Sequence, residues 1–208
     1  MIRSIIFDFG GVIYDIDHNL SKLAFQKLGV DNFDHLYGHH VQTHVFEQFE
    51  TGKIDAEAFL AYLAKFLPAK TSKEDIIDAW CALLIGIDER KTNLLLELKK
   101  DYRLFLLSNS NILHYQRFIE EVNGIADLRS VFDDVWFSHE KGKRKPDLSF
   151  FNELVEANQL NVKETLFIDD LLTNIKAAEK VRLKTWHIQE ESIVQLFSNK
   201  NWVQKYLF

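Results

Sequence analysis

The sequence predicts an α/β fold: a Rossmann-like parallel sheet flanked by helices, with a small all-helical cap inserted after the first strand. Three observations predict it. Short β-branched and aromatic runs alternate with helical segments through the second half of the chain, the pattern of a parallel sheet covered on both faces. One such run, RSIIFD (3–8), also opens the chain. Between them, from about His18 to Ile85, the apolar spacing is helical with no convincing strand. The 208 residues suffice for two units. The expected division is a core of residues 1–17 and 86–208 and a cap of residues 18–85.

Each element has its own local cause. The run 3–8 ends on an acid, and Gly10 and Gly11 then break the chain into a turn. In the cap, Phe59, Leu60, Leu63 and Phe66-Leu67 recur at helical spacing, with Asp55 as N-cap and Pro68 closing the run. A helix from about Glu89 to Lys100 leads into the strand 102–108, and a helix follows from Ile112. The run DDVWFS (133–138) is a strand, and the next helix follows Pro146, a residue suited to a first helical turn. TLFIDD (165–170) is a strand followed by a helix through Ile175–Lys180. LKTWHI (183–188) is the last strand and the tail is helical.

Composition excludes several classes. Hydrophobic residues at 47% and charged residues at 27% give a soluble globular balance. A net charge of -6 argues against a nucleic-acid partner, which needs a basic surface. No apolar stretch approaches the roughly 20 residues needed to span a bilayer. MIRSIIFDFGG carries no cleavage site of a signal peptide, so the expected location is the cytoplasm. The single cysteine, Cys81, is expected as a small apolar residue on a helix. The expected assembly is a monomer or a homodimer.

The strand ends carry the chemistry. Ligands of open α/β sheets bind beyond the carboxyl ends of the strands. Here those ends deliver Asp8, then Ser108 and Asn109, then the basic loop KGKRKP with Lys145, then Asp169 and Asp170. Each is an ordinary turn, cap or surface residue when taken singly. Together they are not. Three close carboxylates repel unless one protonates or a cation joins them. Oxygen ligands favour a hard cation such as Mg²⁺, which would also neutralise phosphate charge. Ser108 and the amides of the following helix would hold phosphate oxygens, and Lys145 would add fixed positive charge. Such a site suits in-line phosphoryl transfer, with a carboxylate nucleophile giving an aspartyl-phosphate.

Four motifs in order carry a family resemblance: Asp8-Phe9-Gly10-Gly11-Val12, LLSNSN (106–111), RKPD with Lys145, and FIDDLLTNIKAAEKV (167–181). The chain resembles the haloacid dehalogenase-like hydrolases over nearly its whole length. The helical insert resembles their type 1 cap, and FETGKIDAEAF (49–59) is similar to a cap signature of the small phosphatases. The resemblance implies Asp8 as nucleophile and metal ligand, with Gly10 giving a backbone carbonyl to the metal. It implies Asp170 as a direct Mg²⁺ ligand and Asp169 as a ligand directly or through water. Ser108, Asn109 and Lys145 would hold the phosphoryl group. The phrase FGGVIYDIDHN is most similar to a subgroup acting on sugar phosphates, including hexose 1-phosphates. The implied activity is therefore an Mg²⁺-dependent phosphatase for a small phosphorylated metabolite.

One position departs from the family. Most members carry a second Asp two residues after the nucleophile as general acid and base, and here Gly10 stands there. That function is worth roughly 10²–10⁴ in rate. Asp15, Asp17 and the cap histidines His18, His35, His39, His40 and His44 are the candidates to replace it. The glycine also motivates a second reading, a catalytically weak phosphate-binding or regulatory module. A third, a haloacid dehalogenase, leaves the Asp169-Asp170 pair without a purpose.

Overall fold

The computed structural model describes residues 1–30, 43–125, 128–189 and 191–198. Five strands form one parallel sheet: β1 (Ser4–Phe7), β4 (Arg103–Ser108), β5 (Asp134–Phe137), β6 (Thr165–Asp169) and β7 (Lys184–His187), in the order β5-β4-β1-β6-β7. The expected parallel sheet is thus observed. Its central strands β1, β4 and β6 read as near-continuous apolar runs because both faces are buried. Ile5, Phe7, Leu104, Leu106 and Ile168 enter one apolar cluster, while Ile6, Phe105, Leu107 and Phe167 enter the other. That is the period of two expected of a strand.

Helices cover each face with their apolar stripe. Leu95 and Leu98 of the helix Glu89–Leu98 and Phe118 of the helix Ile112–Ile125 pack on the first face. Phe150, Phe151 and Leu154 of the helix Leu148–Ala157 and Ile175 and Ala178 of the helix Leu172–Lys180 pack on the second. The helix Leu148–Ala157 is capped by the Asp147 carboxylate, which accepts from the Ser149 amide at 2.9 Å. Pro146 therefore lies before the cap and not in the first turn.

Between β1 and the rest of the sheet the chain builds four described helices: α1 (His18–Lys27), α2 (Thr43–Glu50), α3 (Ala56–Ala64) and α4 (Lys73–Cys81). They share a separate apolar cluster that includes Phe25, Phe49, Phe59, Leu63 and Trp80. Phe49 and Phe59 stack with centroids 4.0 Å apart, and Asp55 caps α3 as its spacing predicts, accepting from Ala58 N at 2.8 Å. Cys81 is buried and free at the end of α4.

One element contradicts the helical expectation. Leu84–Ile87 is a strand, β3, and it pairs antiparallel with β2 (Tyr14–Ile16). The ribbon lies across the expected boundary at residue 85. Leu84–Ile87 is short, and Gly86 interrupts its alternation, so it carries no readable period.

Candidate active site

Register decides what meets at the sheet edge. β1 lies between β4 and β6, with Phe7 opposite Leu106 on one side and Ile168 on the other. Asp8 therefore emerges beside Asp169, and its amide donates to Ile168 O at 2.9 Å. Ser108 ends the other neighbouring strand. In the order β5-β4-β1-β6-β7 the chain builds outward from β1 to β5 on one side and then crosses to β6 on the other, so a topological switch, where α/β sheets open a crevice, lies between β1 and β6.

The centre is an ion-paired triad. Lys145 Nζ lies 2.8 Å from Asp8 Oδ1 and 2.7 Å from Asp169 Oδ2, and the lysine is 1% exposed. Burial works against the Lys145 charge, but the Asp169 and Asp8 carboxylates outweigh it and hold the lysine above its ordinary range. Burial likewise pushes the Asp8 carboxyl up, to about 8, with Lys145 pulling the other way. Burial first, and then Asp169, also raise Asp170. One ligand atom each from Asp8, Asp169 and Asp170 lie within 4.8 Å of one another. A hard cation fits this set: three carboxylates with a single neighbouring ammonium leave excess negative charge that oxygen-seeking Mg²⁺ would balance.

The two adjacent acids differ in employment. Asp169 is fully buried and accepts from Lys145 Nζ, Leu171 N at 2.8 Å and Asn174 Nδ2 at 3.0 Å. Asp170 is half-buried, and its backbone carbonyl takes a contact from His187 Nε2 at 2.9 Å. Its carboxylate faces Gly11. At Gly11, φ is 77°, and an added Cβ would sit 2.5 Å from Asp170 Oδ2. Both facts require glycine there. Gly10 has no such constraint; a Cβ would meet only the tip of Ile16 at 3.3 Å.

Ser108 is buried and lines a cavity together with Phe9 and Gly10, the residues that follow Asp8. Asn109 does something the sequence did not disclose. Its Nδ2 donates to Lys145 O and its Oδ1 accepts from Lys145 N, both at 2.8 Å. The Asn109 side chain is thus spent on the lysine loop.

The cavity has a volume of about 110 Å³ and lies between cap and sheet, with Gly10, His18, Glu50, Trp80, Ser108 and His114 among its walls. Gly52, with φ of 64°, lies directly on the His139 carbonyl, so the end of α2 is seated against the core. The Trp80 and His114 rings stack with centroids 5.1 Å apart. His114 Nε2 reaches Trp80 O at 3.2 Å and Nδ1 reaches Asn111 Nδ2 at 3.1 Å, the pairing of a neutral ring protonated at Nε2. Burial pushes its pKa down to about 4.

Of the candidates for the missing acid, Asp15 is ion-paired with Lys91 at 2.5 Å and Asp17 caps α1 through Asn19 N at 2.9 Å. His44 is exposed on a neighbouring groove. His35, His39 and His40 lie outside the described residues. His18 lines the cavity.

The profile of the haloacid dehalogenase-like hydrolases matches residues 2–182. The chain belongs to that family. It is 32% identical over 188 residues to a D-ribitol-5-phosphate phosphatase of Bacteroides thetaiotaomicron, covering 89% of this chain and 91% of the relative. A sesquiterpene phosphatase of Aspergillus oryzae is 26% identical, with 90% of each chain covered. A crystal structure of a family enzyme from B. thetaiotaomicron, an aspartate-to-alanine mutant in complex with magnesium and inorganic phosphate, superposes with a TM-score of 0.87. It shares 28% identity and covers 95% of this chain and 99% of its own. Related family members were thus crystallised with magnesium, and this hydrolase has the carboxylate cluster for such an ion. No helix among its described residues is long and apolar enough to cross a membrane.

Sequence reading missed Asn174, His114 and Glu50. Each had a local signal: Asn174 lies one helical turn beyond Asp169-Asp170, His114 follows Asn111 by three residues, and Glu50 opens ETGKID.

Proposed function

We propose that this phosphoric monoester hydrolase acts on a small phosphorylated polyol or sugar, with Asp8 as nucleophile and Mg²⁺ as cofactor. The carrying observation is Asp8 held by Lys145 beside Asp169, next in the chain to Phe9 and Gly10, which line a cavity walled also by Ser108 and by His18, Glu50 and Trp80 of the cap. Phe9 N and Lys145 Nζ both engage Oδ1, at 2.6 and 2.8 Å, which leaves Oδ2 as the attacking oxygen. Asp8, Asp170 and the Gly10 carbonyl would hold the ion. Asp169, with its lone pairs engaged by Lys145, Leu171 and Asn174, serves the ion through water and chiefly fixes the lysine. Bound magnesium would neutralise phosphoryl charge and align it with the nucleophile.

Ser108 and the amides following it hold the phosphoryl oxygens, and Lys145 balances charge at Asp8. Oδ2 forms a bond to phosphorus as the bond to the leaving oxygen breaks, and water then cleaves the acyl phosphate. His18 is our choice for the proton donor to the leaving oxygen, being the described candidate in the cavity wall. The polyol or sugar assignment rests on the resemblance to the ribitol-phosphate enzyme.

The test is hydrolysis of phosphorylated polyols, sugars and an aryl phosphate, with and without Mg²⁺, by wild type and Asp8→Asn. Turnover that needs both the metal and Asp8 is expected. Full activity after chelation, or in the Asp8 variant, would overturn the reading.

A further inference from the structure

The cap contributes a carboxylate to this cavity that its protein surroundings do not satisfy. Glu50 ends α2 and lines the cavity together with Gly10 and Ser108. Its Oε2 is sealed from solvent and accepts no hydrogen bond from the described residues. Arg144 Nε lies 3.0 Å from that oxygen, but out of line for a hydrogen bond, and is itself without an acceptor. The same guanidinium reaches Glu47 at 3.3 Å. Arg144 thus offsets the charge of Glu50 and leaves its lone pairs unspent. Folded proteins keep few buried acceptors without donors, because water has been given up and nothing returned. A donor that arrives with a ligand accounts for this one.

The neighbourhood narrows what that donor is. In the reading above Ser108 and the amides after it take the phosphate, which a carboxylate would repel, so the group at Glu50 belongs to the remainder of the substrate. A second anion is excluded by the carboxylate. An ammonium is disfavoured by Arg144. An apolar chain, which Tyr14, Ile16 and Leu84 could receive elsewhere in the cavity, would leave Oε2 unpaired. Burial raises the Glu50 carboxyl above its ordinary value and Arg144 opposes this. A hydroxyl both donates and accepts, so it pairs with this group whichever form it takes.

We propose that Glu50 is the specificity-determining residue of the cap, reading a hydroxyl of the phosphorylated polyol or sugar through Oε2 while Arg144 holds it in place. The inference rests on the phosphatase reading above. Its experiment compares an alditol phosphate with an aryl phosphate, both with Mg²⁺, in wild type, Glu50→Gln, Glu50→Asp and Glu47→Gln. Hydrogen bonds to charged groups predict that the ratio of kcat/KM values, alditol over aryl, falls about 10–100-fold in Glu50→Gln, mainly through KM. Glu50→Asp keeps a charge for Arg144 but withdraws the acceptor, and should lower the ratio too. Glu47→Gln removes the other partner of Arg144 while keeping the Arg144–Glu50 ion pair, and should keep the wild-type ratio. An unchanged ratio in both folded Glu50 variants overturns the proposal. So does an equal fall in Glu47→Gln, which would make the three residues a clasp between cap and core. A wild type that hydrolyses the aryl phosphate but no hydroxylated substrate overturns this inference alone. A wild type inactive on every phosphate removes the phosphatase reading and this inference with it.

Discussion

Asn109 and Lys145 hold each other through two 2.8 Å hydrogen bonds, the amide side chain of one closing on both backbone groups of the other. The lysine can point its ammonium between two carboxylates because its backbone is fixed from the neighbouring strand end. Asn109→Ala should therefore lower kcat by misplacing Lys145. Two neutral hydrogen bonds lost in a part-buried site should cost about 1–3 kcal/mol of stability. Kinetics and urea unfolding on the same sample check both. Unchanged kcat would show that the lysine is positioned without this pair.

Lys145→Ala should destabilise the protein as well as inactivate it. It leaves Asp8 and Asp169 buried and facing each other without their shared cation, a change of the class that costs about 3–5 kcal/mol. Asp8→Asn should be inactive but melt well above Lys145→Ala, because the Lys145–Asp169 pair survives. A reversed order of melting temperatures would contradict the triad account.

His18 should matter most for poor leaving groups. An aryl oxide departs without a proton, whereas an alkoxide needs one. His18→Ala should thus slow alkyl phosphates by roughly 10²–10⁴ while affecting aryl phosphates far less. Equal losses across a leaving-group series would exclude His18 as the donor.

The two adjacent glycines should respond differently. Gly11→Ala forces a side chain into a left-handed backbone, costing roughly 1–2 kcal/mol, and collides with Asp170. Its Mg²⁺ affinity, measured by calorimetry, should fall with its stability. Gly10→Ala meets only the end of Ile16 and should remain folded with Mg²⁺ affinity near that of wild type. Equal tolerance at both positions would refute the close approach of Gly11 to Asp170.

His114 should make stability depend on pH. An unfolded histidine binds its proton near 6.5, whereas His114 stays neutral down to about 4. In that window the unfolded chain holds more protons, so this contribution is fully present above 6.5 and is lost as pH falls toward 4. The total is about 3 kcal/mol. Raised carboxyls such as Asp8 act in the opposite sense. The comparison of wild type with His114→Phe therefore isolates the term. Between pH about 7 and about 5, wild type should lose stability relative to the variant. Parallel curves would show that the ring is protonated in the fold.

The order of strands and helices, and the polar residues at the strand ends, were legible in the sequence because both are local. A buried strand declares itself as an apolar run, a helix as a period, and Asp8, Ser108, Asp169 and Asp170 each follow such a run. The tertiary structure alone decided what those residues touch. Asp169 and Asp170 are identical neighbours in the chain, yet one is buried against Lys145 and Asn174 while the other remains half-exposed beside Gly11. Asn109 reads as a phosphate ligand until the lysine loop, 36 residues away, engages both ends of its amide. Asp15 reads as a substitute acid until Lys91, 76 residues on, takes it. Glu50 is one residue of the cap signature FETGKIDAEAF in the sequence, and only folding sets it against Arg144 and the strand ends. Periodicity is a property of neighbours along the chain. Hydrogen-bond partners, burial and the direction of a side chain are set by elements that meet only after folding, and the residues near them in sequence carry no record of that choice.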